Sequence, residues 1–131
     1  MRKLLGTFAG VATAVLTILL VEAIGAQLFT LPGGFETGEI AAPSTMVSAM
    51  PLGAKLVVAI GWLLGAFAGA YCAFRLAKWD AAGWIIAMLV AAGGIANIVS
   101  IPHPLWMQVS AVSLPFIGAL FAFGLYRRWQ R

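Results

Sequence analysis

Charge is what this sequence has least of. Only 9% of its 131 residues are charged, eight Lys or Arg against four Asp or Glu, while 63% are hydrophobic. A soluble domain carries roughly 25% charged residues, so this chain has too few to cover the surface of a water-soluble fold of its size. Soluble enzymes, nucleic-acid binders and secreted disulfide scaffolds are therefore poor readings, and the lipid bilayer is the expected partner. Cysteine is almost absent. Cys72 stands alone, which excludes an intrachain disulfide and a CxxC redox pair, and with them a quinone-linked thiol oxidoreductase. A single His beside that single Cys leaves no ligand set for zinc. No cofactor motif is visible, so neither metal nor cofactor is expected.

What is present in abundance is long apolar sequence. A hydrocarbon core of about 30 Å needs about 20 apolar residues in a helix rising 1.5 Å per residue. Four stretches meet that length, from Leu4 to Phe29, Leu52 to Leu76, Ala81 to Ile101 and Leu105 to Tyr126. Their Leu, Ala, Val, Ile and Gly lack the polar alternation of a barrel strand. The expected fold is all-α, a single four-span transmembrane bundle over residues 1–131. The N-terminus imitates a secretory signal, with Arg2 and Lys3 before an apolar run and small residues at Ala23, Gly25 and Ala26. That run is longer than the roughly 7–15 residues of a signal core, so it reads as the first span.

Leu31-Pro32-Gly33-Gly34 ends the first helix. Residues 30–51 form the one long loop, in which Ser44 after Pro43 is placed to cap a short helix bearing Met46, Val47 and Met50. The other connections, Ala77 to Asp80 and Pro102-His103-Pro104, are short and make the later helices antiparallel neighbours. Arg2, Lys3, Arg75, Lys78, Arg127, Arg128 and Arg131 fall on one side of the membrane, and only Lys55 on the other. The positive-inside rule then places both termini in the cytoplasm and the long loop outside. Trp79, Trp84, Tyr126 and Trp129 mark the inner interface and Trp106 the outer.

Lipid tails supply no hydrophobic drive between helices, so close backbone approach must supply much of the attraction. The second span carries Gly61, Gly65, Gly69 and Ala73 at a spacing of four, a packing face for this chain or for another copy. Gly6, Gly10 and Ala14, then Gly83, Ala87 and Ala91 with Gly93 before Asn97, and finally Gly118 and Ala122 repeat the pattern. Pro115 lies inside the fourth span, where it removes a backbone bond and is expected to kink the helix, as a shape element or as a hinge.

The scarce polar residues fall at one depth. Glu22 lies roughly 27 Å along its helix from Leu4, Lys55 roughly 30 Å from Arg75, Asn97 roughly 24 Å from Ala81 and Gln108 roughly 27 Å from Tyr126. Gln27, Ser100 and His103 lie about a turn above. An ionisable residue within a span is costly and faces a partner or water. A Glu22–Lys55 pair is the first expectation. One reading makes this layer a fastener of hydrogen bonds. The other makes it an outward-facing cavity for a polar or cationic solute or a proton, with Glu22 as its centre. His103, held between prolines, is either a pH-responsive or ligating group or an interfacial loop residue. Trp62 either stacks on a ligand near Lys55 or packs.

Val21-Glu22, Pro51-Leu52-Gly53-Ala54-Lys55, the stretch Gly61-Trp62-Leu63-Leu64-Gly65-Ala66-Phe67-Ala68-Gly69, and Asn97 through Ile101-Pro102-His103-Pro104-Leu105-Trp106 together resemble a group of small, uncharacterised four-helix bacterial inner-membrane proteins. The resemblance covers most of the chain. It implies a topology and a bacterial inner membrane, and no activity. Four short spans with a Glu in the first are also similar to small multidrug-resistance exporters, which work as dimers with that Glu as the proton and drug site. Glu22 lies nearer the outer end than that family's residue, and the rest of its pattern is absent, so the similarity is analogy.

Three function classes follow. The first is an accessory or structural protein that associates with itself or a larger membrane partner through the glycine face. The second is a small-solute or proton transporter or channel with its polar site at Glu22, Lys55, Asn97, His103 and Gln108. The third, an enzyme using Glu22 and His103 as acid and base, is weakest, because no nucleophile accompanies them. A polar cavity beside Glu22 favours the second class, and a dry closed layer favours the first. Thr7, Thr13, Thr17 and Ser113 are the only polar groups of the inner halves, so no aqueous path across the bundle is expected.

Overall fold

Apolar sequence without helix breakers continues until a Pro or a polar pair stops it, and the helices end where those signals stand. In the computed structural model, which describes residues 1–29 and 47–131, α1 runs Arg2–Leu28, α2 Leu52–Ala77, α3 Asp80–Ser100 and α4 Leu105–Arg128. No strand occurs among the described residues. Each helix is long and apolar enough to cross a membrane. Pro51 and Pro104 occupy the N-cap positions of α2 and α4, where a missing donor costs nothing. Lys78 ends α2 in the left-handed conformation (φ 49°), the geometry a helix C-terminus commonly adopts. Residues 30–46, including the expected Ser44 cap and Met46, lie outside the described residues.

Helix α2 is the axis of the bundle, touching α1, α3 and α4, while α1 and α4 do not meet among the described residues. Its buried positions are Gly and Ala apart from Trp62 and Phe74. Those small residues allow three neighbours to approach one helix. A methyl group on Gly10 would sit 2.8 Å from the Gly69 carbonyl oxygen, and one on Gly69 would sit 2.7 Å from the Gly10 carbonyl oxygen. Gly6 lies against the Ala77 backbone, Gly65 against Ile18, and Gly118 of α4 against the Leu63 carbonyl. The α2 glycine series thus packs on α1 of the same chain. Gly83 faces the ring of Phe74, so α3 starts close to the end of α2.

The end that carries both termini is closed by aromatic packing. Phe74, fully buried, lies 5.3 Å from the Phe123 ring and 5.4 Å from the Tyr126 ring. Trp84 meets Phe123 at 6.0 Å. Around this plug, Arg127 reaches Asp80 at 3.7 Å, the one ion pair among the described residues. Arg2 Nε donates to the Leu76 carbonyl at 3.2 Å, and Lys3 sits over Trp79. Arg75, Arg127 and Arg128 in the last turns of α2 and α4 also suit the negative ends of those helix dipoles.

The hydroxyls inside the spans turn back on their own helices. Thr7, Thr13 and Thr17 donate to the carbonyls of Lys3, Ala9 and Thr13 at 2.7–2.8 Å, and Ser113 donates to Val109 at 2.8 Å. Satisfied locally, these groups need no partner and line no path. Helix α4 runs unbroken through Pro115. The carbonyl that Pro115 deprives of its helical donor is that of Ala111. Gly94 of α3 packs so closely over it that a methyl on Gly94 would stand 3.2 Å from the oxygen.

Candidate functional site

At the end opposite the termini, the helices do not close. The reason lies in where each leans. Ile86 of α3 reaches both Gly10 and Gly69, so α1, α2 and α3 converge there. Beyond that point α1 stays on α2, with Gly25 against Val57 and Gly53 against the ring of Phe29. Helix α3 instead leans to α4 through Gly94 and Ala111. The gap between α1 and α3 therefore widens with distance from the termini.

A cavity of about 430 Å³ occupies the open end. Glu22, Gly25, Ala26 and Phe29 of α1 line it, with Ala54, Lys55, Val57 and Val58 of α2, Asn97 of α3, Ile101 and His103 of the turn, Met107 of α4, and Val47 and Met50. Four of the five residues of the expected polar site, Glu22, Lys55, Asn97 and His103, thus line one cavity. Glu22 and Asn97 are exposed, and Lys55 and His103 half-buried. The expected Glu22–Lys55 ion pair does not form, and neither side chain has another salt-bridge partner among the described residues. A carboxyl and an amino group, neither ion-paired among the described residues, therefore line the same space.

The fifth residue, Gln108, is used differently. Its Nε2 donates to the His103 carbonyl at 2.9 Å, and it is not among the lining residues. It braces the Pro-His-Pro turn. The His103 ring hydrogen-bonds the Ile101 carbonyl through Nδ1; a carbonyl only accepts, so Nδ1 is the donor. Gln108 and Ile101 together hold the imidazole at the cavity wall. Trp62 is 5% exposed and packs with Met107 and Ala111.

Below the cavity, an apolar cleft of about 340 Å³ continues between α1 and α3 with Trp62 of α2 beside it. Val11, Ala14, Val15 and Ile18 form one wall, and Ile86, Leu89, Val90, Gly93 and Gly94 the other. This cleft escaped the reading of the sequence. Gly93 was expected to pack, yet nothing lies within 4 Å of a methyl built on it, whereas its neighbour Gly94 makes the helix contact. The available signal was the spacing of four between Gly93 and Asn97, which puts the missing side chain directly beneath the polar one.

Among the described residues no group of three His, Cys, Asp or Glu converges as a metal site. A scan of protein-family models and searches of curated proteins and of solved structures return no match, so the candidate site stands on its geometry.

Proposed function

We propose that the protein is a four-span inner-membrane protein with both termini cytoplasmic, whose extracytoplasmic cavity binds a small polar ligand as part of solute handling at the membrane. Glu22 receives a cationic group of the ligand, Lys55 an anionic one, and Asn97 and His103 supply hydrogen bonds. The observation that carries this reading is the shared cavity with its two unpaired opposite charges. A charge near the hydrocarbon region is expensive when it has no counter-ion, and a ligand carrying both charges offsets that cost at both groups. The charge bias of seven cationic residues at the termini end supports the orientation. The reading of an accessory protein that associates through its glycine face loses its surface, because Gly65, Gly69 and Ala73 are buried against α1.

The test uses the full chain in maltoside micelles and glycerophosphoethanolamine, a soluble molecule with one amine and one phosphate. Its addition is expected to raise the thermal midpoint of the wild type. Glu22→Gln is expected to keep the unliganded midpoint and to lose the ligand-induced shift. A Glu22→Gln chain that unfolds, together with a wild type that does not respond, returns the polar layer to a structural fastener.

A further inference from the structure

The cavity and the cleft are successive turns of the same three helices. Ile18 precedes Glu22 by four residues on α1, Trp62 follows Val58 by four on α2, and Gly93 precedes Asn97 by four on α3. Four residues are one helical turn, about 6 Å. The apolar cleft therefore begins one turn beneath the cavity, and the charged side chains of the cavity have no counterpart among the cleft's lining residues. From Glu22 down to Val11 the cavity and the cleft together extend roughly 16 Å, about half of a 30 Å hydrocarbon core, with the cleft itself, from Ile18 to Val11, taking roughly 10 Å of it. Together they run from just under the membrane surface to the midplane, between α1 and α3.

Resting on the cavity reading above, we infer that the ligand is a zwitterionic phospholipid of the outer leaflet. Its headgroup sits among Glu22, Lys55, Asn97 and His103, and one acyl chain lies in the α1–α3 cleft against Trp62. Three observations select this occupant. The combined depth of cavity and cleft matches one leaflet. Its wall is apolar throughout, which suits a hydrocarbon chain and gives a free polar solute nothing to bind. The two unpaired charges of opposite sign at its mouth match an ammonium and a phosphate joined in one headgroup, whereas an anionic headgroup would satisfy Lys55 and face Glu22 with like charge. Gly93 keeps the cleft open, since any side chain there would project into the chain's path.

The experiment uses the full chain with Trp62 as its only tryptophan, Trp79, Trp84, Trp106 and Trp129 being replaced by Phe. It is reconstituted in phosphatidylglycerol vesicles containing a small fraction of lipid with mid-chain bromines, which quench an indole on contact. Brominated phosphatidylethanolamine is expected to quench Trp62 several-fold more than the same fraction of brominated phosphatidylglycerol. Glu22→Gln and Lys55→Gln are expected to bring that ratio to about one, and Gly93→Leu to remove the quenching from either lipid while the chain stays folded. Equal quenching by the two lipids in the wild type means non-selective annular lipid and overturns the inference. So does quenching that survives Gly93→Leu, which would mean that lipid reaches Trp62 by a route other than the cleft. If glycerophosphoethanolamine still raises the thermal midpoint in a Glu22-dependent way, the cavity reading survives such a failure; if it does not, both fall.

Discussion

Phe74 and Glu22 occupy equivalent heights at opposite ends of one bundle, and their surroundings differ in kind. Phe74 has none of its surface exposed and is enclosed by Gly83, Phe123 and Tyr126. Glu22 lines a cavity of about 430 Å³ with no ion-pair partner among the described residues. The same helix, α2, serves both ends. Where it presents Gly65, Gly69 and Ala73, its neighbours approach to backbone contact. Beyond Gly61, where a built methyl meets nothing nearer than 3.7 Å, α1 stays on α2 through Gly25 and Val57, but α3 leaves α1 for α4 through Gly94 and Ala111. In a bilayer, dispersion contacts of about 0.1–0.2 kcal/mol each are the main attraction between apolar helices. Contact density therefore decides which end is sealed and which is free to hold a ligand.

The contrast is broken most severely at Phe74. Phe74→Ala is expected to cost roughly 3–5 kcal/mol, the range for truncating a buried aromatic residue. Thermal unfolding of the purified chain in micelles measures it, and a change below about 1 kcal/mol would mean that the aromatic plug does not hold the closed end. A paired glycine substitution sharpens the comparison. Gly69→Ala puts a methyl 2.6 Å from Ala14 Cβ and 2.7 Å from the Gly10 carbonyl oxygen, and overpacking of that sort costs about 1–3 kcal/mol. Gly93→Ala enters open space and is expected to stabilise the helix by roughly 0.5–1 kcal/mol. Equal effects on the unfolding midpoint would erase the distinction between a packed face and an open one. The smallest effect belongs to Asp80. Its pair with Arg127 has side chains 58% and 60% exposed, and exposed pairs contribute about 0–1 kcal/mol. Asp80→Asn should therefore shift the midpoint slightly, with the difference shrinking further in high salt.

The spans were legible because length and apolarity alone decide whether a helix suits a bilayer. Observed boundaries such as Leu52–Ala77 differ from the expected Leu52 to Leu76 by one residue. The common depth of Glu22, Lys55 and Asn97 was legible for a related reason, since rise per residue converts chain position to height. Which way a side chain turns at that height was not. Gln108 stands at the expected depth and is drawn to the His103 carbonyl, because the Pro-His-Pro turn leaves that acceptor within its reach. Gly93 and Gly94 are indistinguishable as letters, yet one meets Ala111 and the other meets open space.

By itself, then, the sequence determined four membrane-spanning helices, the end at which positive charge collects, and the height of each polar group, because those properties depend only on composition and distance along a single helix. The tertiary structure decided that the glycine series of α2 is spent on α1, that Glu22 and Lys55 share a cavity without pairing, and that α1 and α3 part to leave a cleft beneath them. Those features depend on how each helix is rotated and tilted against the others. That is set by which pairs of small residues meet first, a competition among all four helices at once.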